Sequence, residues 1–318
     1  MTRHQGLIHG LTVSQLELLL NEAICWDEPV RLAPQPLGGW SSINLLGVTD
    51  SERVTVKLPA RVPPYPENPF ERLHSVYKKV GASGVCPRPL ASGRLADRAK
   101  TPFLILQFVE GRTVSDIEDL LPATVTELRR ALARLNSTDA IEGEVYDRPS
   151  DMLRYHCARV RLAIAHHSLP EADLFLRTTE GLNEYLDNTC EWTQAVVHGD
   201  LQEPNILLTD RGVVLLDLES CCVADPFYDL SYLSVQRAGG GMKAVSKHLV
   251  HSLEESRVES LAPLSLSSVI SWSLERLAAE ECGLIESSVS SPRSRDAIRR
   301  YVRSKLTHLK ALSRLWHR

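Results

Sequence analysis

The hydrophobic pattern of this chain changes period near Gly111, and that change limits the possible folds more than any other feature. Before it lie the short runs VRLAPQPL, INLLGVT and RVTVKLP within residues 30–59, separated by the turn sequences GGWSS and DSE. Short runs rich in Val, Ile and Leu, bounded by Gly, Ser and Asp, read as strands joined by tight turns, so an antiparallel meander is expected. After Gly111, apolar residues recur at helical spacing near residues 122–136, 151–167, 172–189, 227–237, 243–258, 265–283 and 293–316, with one short β-like interruption at 195–219. Strands segregated from helices in this way predict an α+β fold in two lobes, because a parallel βαβ sheet needs regular alternation. The boundary falls between residues 1–110, a β-rich N-terminal lobe, and residues 111–318, a helical C-terminal lobe.

Two further elements belong to the first lobe. Ser14 followed by Glu17 has the spacing of a capping box and heads an amphipathic helix carrying Leu16, Leu20 and Ile24. A proline-rich stretch from Pro59 to Pro69 cannot be regular helix or central strand, and it leads into a helix from about Glu71 to Gly81. The run TPFLILQFVEG reads as a buried strand ending at Gly111.

Composition excludes several classes of function. The formal net charge is −4 over 318 residues. The chain therefore lacks the global basic field that holds a nucleic-acid backbone, and no nucleic-acid partner is expected. No apolar run approaches the roughly 18 residues of a membrane-spanning helix, and the opening MTRHQGLIHGLTVSQ has no apolar core of a leader, so a cytoplasmic protein is expected. Seven cysteines include no C-x-x-C pair, which predicts reduced thiols used as core filler. Oligomeric state is not legible.

The chemistry concentrates in AVVHGDLQEPNILLTDRGVVLLDLESCCVADPFYDLSYL, residues 195–233. Apolar runs at Ala195–Val197 and Val213–Leu216 flank a polar loop, and the second run delivers Asp217 at its end. His198, Asp200, Asn205, Asp217 and Glu219 thus fall on loop and strand-end positions, where rigid neighbours can hold them. Phosphoryl transfer needs that kind of equipment: a carboxylate to accept the attacking hydroxyl's proton, hard oxygen ligands for Mg²⁺, and a cation to hold the phosphates. Asp200 suits the first task. Asn205 and Asp217 suit the second.

His198-Gly199-Asp200-Leu201, Asn205 and Leu216-Asp217-Leu218-Glu219 together resemble the signature of the aminoglycoside phosphotransferase and choline kinase superfamily, the small-molecule branch of the protein-kinase-like fold. Asn205 lies five positions after Asp200, the spacing of the protein-kinase catalytic loop. Gly199, where protein kinases carry Arg, points to the small-molecule branch. The trailing Ala224-Asp225-Pro226 with Asp229-Leu230 resembles a further element of the family. The resemblance implies a bilobal fold, Asp200 as catalytic base, Asn205 and Asp217 as Mg²⁺ ligands, and Glu219 near the metal or the acceptor. His198 would brace the loop. Asp225 and Asp229 would cap the following helix and tie the loop down.

The resemblance also assigns the first lobe to the nucleotide. Lys57, on the third strand, would hold the phosphates and pair with a helix glutamate, Glu71 or else Glu67. The turn from Leu37 to Asn44 would cover the phosphates with backbone N–H groups and the hydroxyls of Ser41 and Ser42. Backbone groups from Gln107 to Val109 would meet the base of ATP or GTP. The expected activity is transfer of the γ-phosphate to a hydroxyl of a small acceptor such as an aminoglycoside, an amino alcohol or a sugar, with a nucleotide-binding scaffold without turnover as the alternative. A protein kinase is disfavoured by the missing D-F-G and A-P-E, and a Rossmann or P-loop enzyme by the missing glycine fingerprints. Acids between Glu110 and Glu191 and a basic stretch from Arg293 to Lys310 point in opposite directions about the acceptor's charge.

Overall fold

The computed structural model describes residues 7–39, 41–114, 121–139, 141–165, 168–236, 254–286, 289 and 292–317. The chain divides into two compact units, residues 1–110 with 283–292, and residues 111–282 with 293–318.

In the first unit, strands β1 (Arg31–Gly38), β2 (Ser42–Val48) and β3 (Arg53–Pro59) form the expected meander. With β4 (Pro89–Arg94) and β5 (Pro102–Gln107) they make one antiparallel sheet in the order β1-β2-β3-β5-β4. Period-2 alternation on β3 sends Val54, Val56 and Leu58 to one face, where they are buried with Ile43, Leu45, Phe103 and Ile105. Helix α1 (Val13–Ala23) closes that face with Leu16 and Leu20, each worth roughly 1.5–3 kcal/mol of apolar burial. Lys57 therefore points to the opposite face, standing across from Asn44 on β2 and Leu104 on β5. Helix α2 (Pro69–Gly81), capped by Asn68, lies against β4 and β5.

Two boundaries differ from the sequence reading. The capping box of α1 is Thr12 with Gln15, because the carboxylate of Glu17 is drawn to the N–H of Leu32, 2.7 Å away. Strand β5 stops at Gln107 because its partner β3 begins at Arg53, whose carbonyl takes the N–H of Phe108 at 3.1 Å.

A late segment of the chain completes this unit. Val62 N–H donates to Leu284 O at 3.0 Å, Glu286 N–H to Ala60 O at 2.8 Å, and Arg61 bridges Ile285. The buried imidazole of His9 donates through Nε2 to Pro59 O at 2.9 Å and lies 3.4 Å from the Glu286 carboxylate through Nδ1.

The second unit is mainly helical: α3 (Pro122–Asn136), α4 (Pro149–Ala163), α5 (Pro170–Thr178), α6 (Leu182–Thr189), α7 (Tyr228–Gln236), α8 (Glu255–Ser260), α9 (Ala262–Glu281) and α10 (Pro292–Ser313). Helix α9 is buried on nearly every side and packs against α4 and α7, as an apolar core helix should. The single helix expected at 172–189 is two: the first ends at Thr178, and Gly181, with φ of +76°, stands at the N-cap of the second. Of the helix expected at 243–258, residues 243–253 lie outside the described residues. Four short strands follow α6: β7 (Ala195–Val197) pairs with β10 (Cys222–Ala224), while β8 (Ile206–Thr209) pairs with β9 (Gly212–Leu215) and with β6 (Arg112–Thr113). Among the described residues no helix is long and apolar enough to cross a membrane. All seven cysteines are free thiols.

Candidate active site

Strand β7 ends on buried Val197 and delivers His198 into a loop tied at His198, Gly199, Asp200 and Asn205 to other parts of the second unit. Gly199 has φ of +80°, and a Cβ there would stand 2.1 Å from Ser220 O, so only glycine fits. The N–H groups of His198 and Gly199 both donate to the buried Asp229 carboxylate, at 2.8 and 2.9 Å. The imidazole of His198 accepts the N–H of Asp200 at Nδ1, 3.3 Å away, and donates from Nε2 to Leu216 O at 2.7 Å. That pair of contacts fixes the neutral Nε2–H tautomer, in keeping with the burial that pushes the ring's pKa down. The ring thus links the N–H of Asp200 to the carbonyl of Leu216.

The Asp200 carboxylate accepts the Tyr232 hydroxyl at Oδ1, 2.7 Å away, and the Gln202 amide at Oδ2, 3.0 Å away. Asn205, buried in a 3-10 turn, donates from Nδ2 to Asp200 O at 2.9 Å, and its carbonyl takes the N–H of Leu216 at 2.8 Å. Asn205 is thus stapled through its carbonyl to the strand end that presents Asp217 and through its side chain to the backbone of Asp200. Asp217 itself sits at φ 60°, ψ 67°, a left-handed conformation uncommon for a non-glycine residue and worth about 1–2 kcal/mol of strain. Asp217 and Glu219 are half-buried.

Burial, with the nearby carboxylates of Asp217 and Glu219 adding repulsion, pushes Asp200 up to about 7 against the opposing donation of Tyr232 and Gln202. Carboxylates beside an amide oxygen are hard donors of the kind that suits a divalent cation, and the Asn205 amide, with its NH₂ turned to Asp200, leaves Oδ1 as the ligand end. Among the described residues no group of three or more His, Cys, Asp or Glu converges as a metal cage. Such a cation would draw only a few ligands from the protein and the rest from phosphate and water, as Mg²⁺ usually does.

Asp225 accepts Phe227 N–H at 2.9 Å through one oxygen, while the other takes Thr193 N–H at 3.0 Å and the Arg257 guanidinium at 2.7 Å. It caps the entry to α7.

The nucleotide candidates lie in the first unit. Lys57 is only 3% exposed. Glu71, in the first turn of α2, and Glu67 are both exposed. Ser41 is exposed and Ser42 buried at the start of β2; Trp40 lies outside the described residues. Gly39, at φ +129°, faces Ser42 O so closely that a Cβ would come within 2.2 Å. Gln107 is exposed, with its N–H given to Arg88 O at 2.8 Å; Val109 follows, half-buried.

Two residues in the site escaped the sequence reading. Gln202 and Tyr232 both reach the Asp200 carboxylate, and the signal for Tyr232 was its position one helical turn after Asp229 on α7.

The fold and the loop together define a phosphotransferase of the kinase-like kind. Residues 33–251, more than half of the chain, match the phosphotransferase enzyme family (APH), and the chain belongs to that family. Solved structures share its fold at low identity. A candidate aminoglycoside phosphotransferase from Ralstonia eutropha JMP134 aligns with a TM-score of 0.62 at 17% identity, covering 93% of this chain and 96% of that one. A choline/ethanolamine kinase family protein from Mesorhizobium loti gives 0.60 at 19%, covering 91% and 89%. A thermostable mutant of aminoglycoside phosphotransferase APH(4)-Ia, in ternary complex with AMP-PNP and hygromycin B, gives 0.62 at 15%, covering 91% and 98%. No curated protein sequence matches the chain.

Proposed function

We propose that this protein is a small-molecule kinase that transfers the γ-phosphate of ATP or GTP to an acceptor hydroxyl, with Asp200 as the base. The carrying observation is the Asp200 carboxylate held at both oxygens by Tyr232 and Gln202, with Asn205 bound to the same residue's carbonyl. A base acting on a late-departing proton is rewarded for orientation more than for strength, and this carboxylate is oriented by a hydrogen bond at each of its two oxygens.

The acceptor oxygen forms a bond to the γ-phosphorus while the bridging bond to the nucleoside diphosphate breaks. The acceptor's proton passes to Asp200. Asn205 and Asp217 would hold Mg²⁺, which supplies charge neutralisation on the phosphates, and Glu219 stands beside that pair toward the metal or the acceptor. The positive charge of that cation would also draw Asp200 below its value of about 7. Lys57, Ser41 and Ser42 take the nucleotide phosphates, Glu71 or Glu67 the ammonium of Lys57, and the backbone from Gln107 to Val109 the base. The AMP-bound choline kinase LicA and the AMP-PNP- and hygromycin-B-bound enzyme of like fold support an adenine nucleotide and a hydroxylated amine as first choices to test.

The test is Mg²⁺-dependent release of ADP or GDP by purified protein over a panel of aminoglycosides, choline, ethanolamine, amino sugars and simple sugars. Stimulation by one class, lost by about 10²-fold or more in Asp200→Ala, would establish the reading. Nucleotide binding without turnover on any acceptor would favour a scaffold instead.

A further inference from the structure

Helix α7 touches the catalytic loop twice, from neighbouring positions on one face. Asp229 holds the backbone N–H groups of His198 and Gly199, and Tyr232, one turn on, reaches the carboxylate of Asp200 with its hydroxyl, 2.7 Å from Oδ1. Tyr232 is 4% exposed, lies among the core residues of the helical unit, and packs its ring 5.9 Å from that of Tyr228. Its place is therefore set by the packing of α7, not by the loop. Burial and the adjacent Asp200 carboxylate hold the phenol well above its ordinary pKa, so it remains a donor.

The remaining contacts on the carboxylate come from the loop itself. Gln202 is only two residues away and half-buried, and Asn205 reaches Oδ2 at 3.4 Å, a long contact. Of the side chains that bond the carboxylate, Tyr232 alone among the described residues belongs to a rigid helix outside the loop.

We propose that Tyr232 is a positioning residue for the transfer: its hydroxyl anchors Oδ1 of Asp200 to helix α7, which commits Oδ2 to the acceptor hydroxyl. Gln202, the donor now on Oδ2, is the group the acceptor hydroxyl displaces or shares. The inference rests on the reading of Asp200 as base and adds the residue that aims it.

Two measurements on Tyr232→Phe test it. The first is a crystal structure of the variant beside one of the wild type. We expect the Asp200 carboxylate to turn away from the Gln202 and Asn205 amides by about 1 Å or more, a displacement large enough to matter for a reacting group. A carboxylate left in place by Gln202 and Asn205 alone overturns the proposal. The second is steady-state kinetics on whichever panel acceptor the wild type phosphorylates. We expect kcat to fall about 10-fold, with both KM values within about two-fold, since a mis-aimed base costs turnover and not binding.

Tyr228→Phe is the control, because it removes a buried phenol from the same helix without touching Asp200. It should be at least as stable as Tyr232→Phe, because the Tyr228 hydroxyl makes no bond comparable to the one from Tyr232 to Asp200, while leaving kcat within about two-fold of the wild type. An unchanged kcat in Tyr232→Phe, or an equal fall in Tyr228→Phe, overturns the assignment. A wild type inert on every acceptor counts against the kinase reading, and the crystallographic comparison then still decides whether Tyr232 positions Asp200.

Discussion

His198 donates from Nε2 to the carbonyl of Leu216 at 2.7 Å, and through that bond the residue two before Asp200 is tied to the residue immediately before Asp217. Asp200 and Asp217 are thus referenced to one imidazole, which is itself fully buried. This relationship and its neighbours lead to measurable expectations.

Replacing His198 by alanine empties a fully buried ring site and strands both Leu216 O and Asp200 N–H. We expect a loss of about 2–4 kcal/mol in urea unfolding, from the cavity and the unpaired backbone groups together. A loss below about 1 kcal/mol would show that water or a shifted loop replaces the ring.

Asp229→Asn keeps the shape and removes one acceptor. The carboxylate takes two backbone N–H groups, one at each oxygen, whereas an amide would set its NH₂ against one of them. The expected cost is about 2–3 kcal/mol, read as a lowered denaturant midpoint at unchanged slope. A variant as stable as the wild type would mean the two N–H groups find other acceptors.

Gly199→Ala meets two obstacles at once, a φ of +80° and Ser220 O at 2.1 Å from the new Cβ. Because the obstacle is backbone, the loop itself must move. We expect a penalty of about 3 kcal/mol or more, with turnover falling further than stability alone explains. Thermal unfolding together with the ADP-release assay separates the two.

His156 lies buried in α4 with no hydrogen-bond partner for Nε2 among the described residues, and burial, aided by the Arg159 charge, pushes its pKa down to about 3. A group whose folded pKa lies below its unfolded value near 6.5 leaves stability intact above that value. As pH falls below it, the unfolded chain binds the proton and the folded one does not, at up to about 1.4 kcal/mol per pH unit. His156→Leu should therefore flatten the fall of stability between pH 6.5 and 4 and gain more at pH 5 than at pH 7.5, followed by urea midpoints across pH. A wild-type slope unchanged by the substitution would assign the acid lability elsewhere.

The meander, the change of period at Gly111 and the polar loop were legible because each rests on local pattern. Val54, Val56 and Leu58 alternate with Thr55 and Lys57, and that alternation alone tells which face Lys57 takes. The start of α1 was misplaced because Ser14–Glu17 and Thr12–Gln15 carry equivalent signatures, and only Leu32 N–H, far along the chain, draws Glu17 off. The acids of the helical stretch were hard to weigh because several serve local contacts, Asp187 holding Ser150 and Glu171 pairing with Arg303. Gln202 and Tyr232 were missed because a residue that serves another residue leaves no motif of its own.

The bridge between Arg61 and Ile285 sets an order on how the protein can be made. A ribosome that has released residues 1–110 has released an unfinished sheet unit, since Leu284 and Glu286, the partners of Val62 and Ala60, are still to be synthesised. Domains that fold as they emerge normally do so from the N-terminus onward. Here the five strands can pair early, but most of the helical unit's sequence must leave the ribosome before Ala60, Val62 and His9 meet their partners at residues 284–286. The first unit to begin is thus among the last to finish.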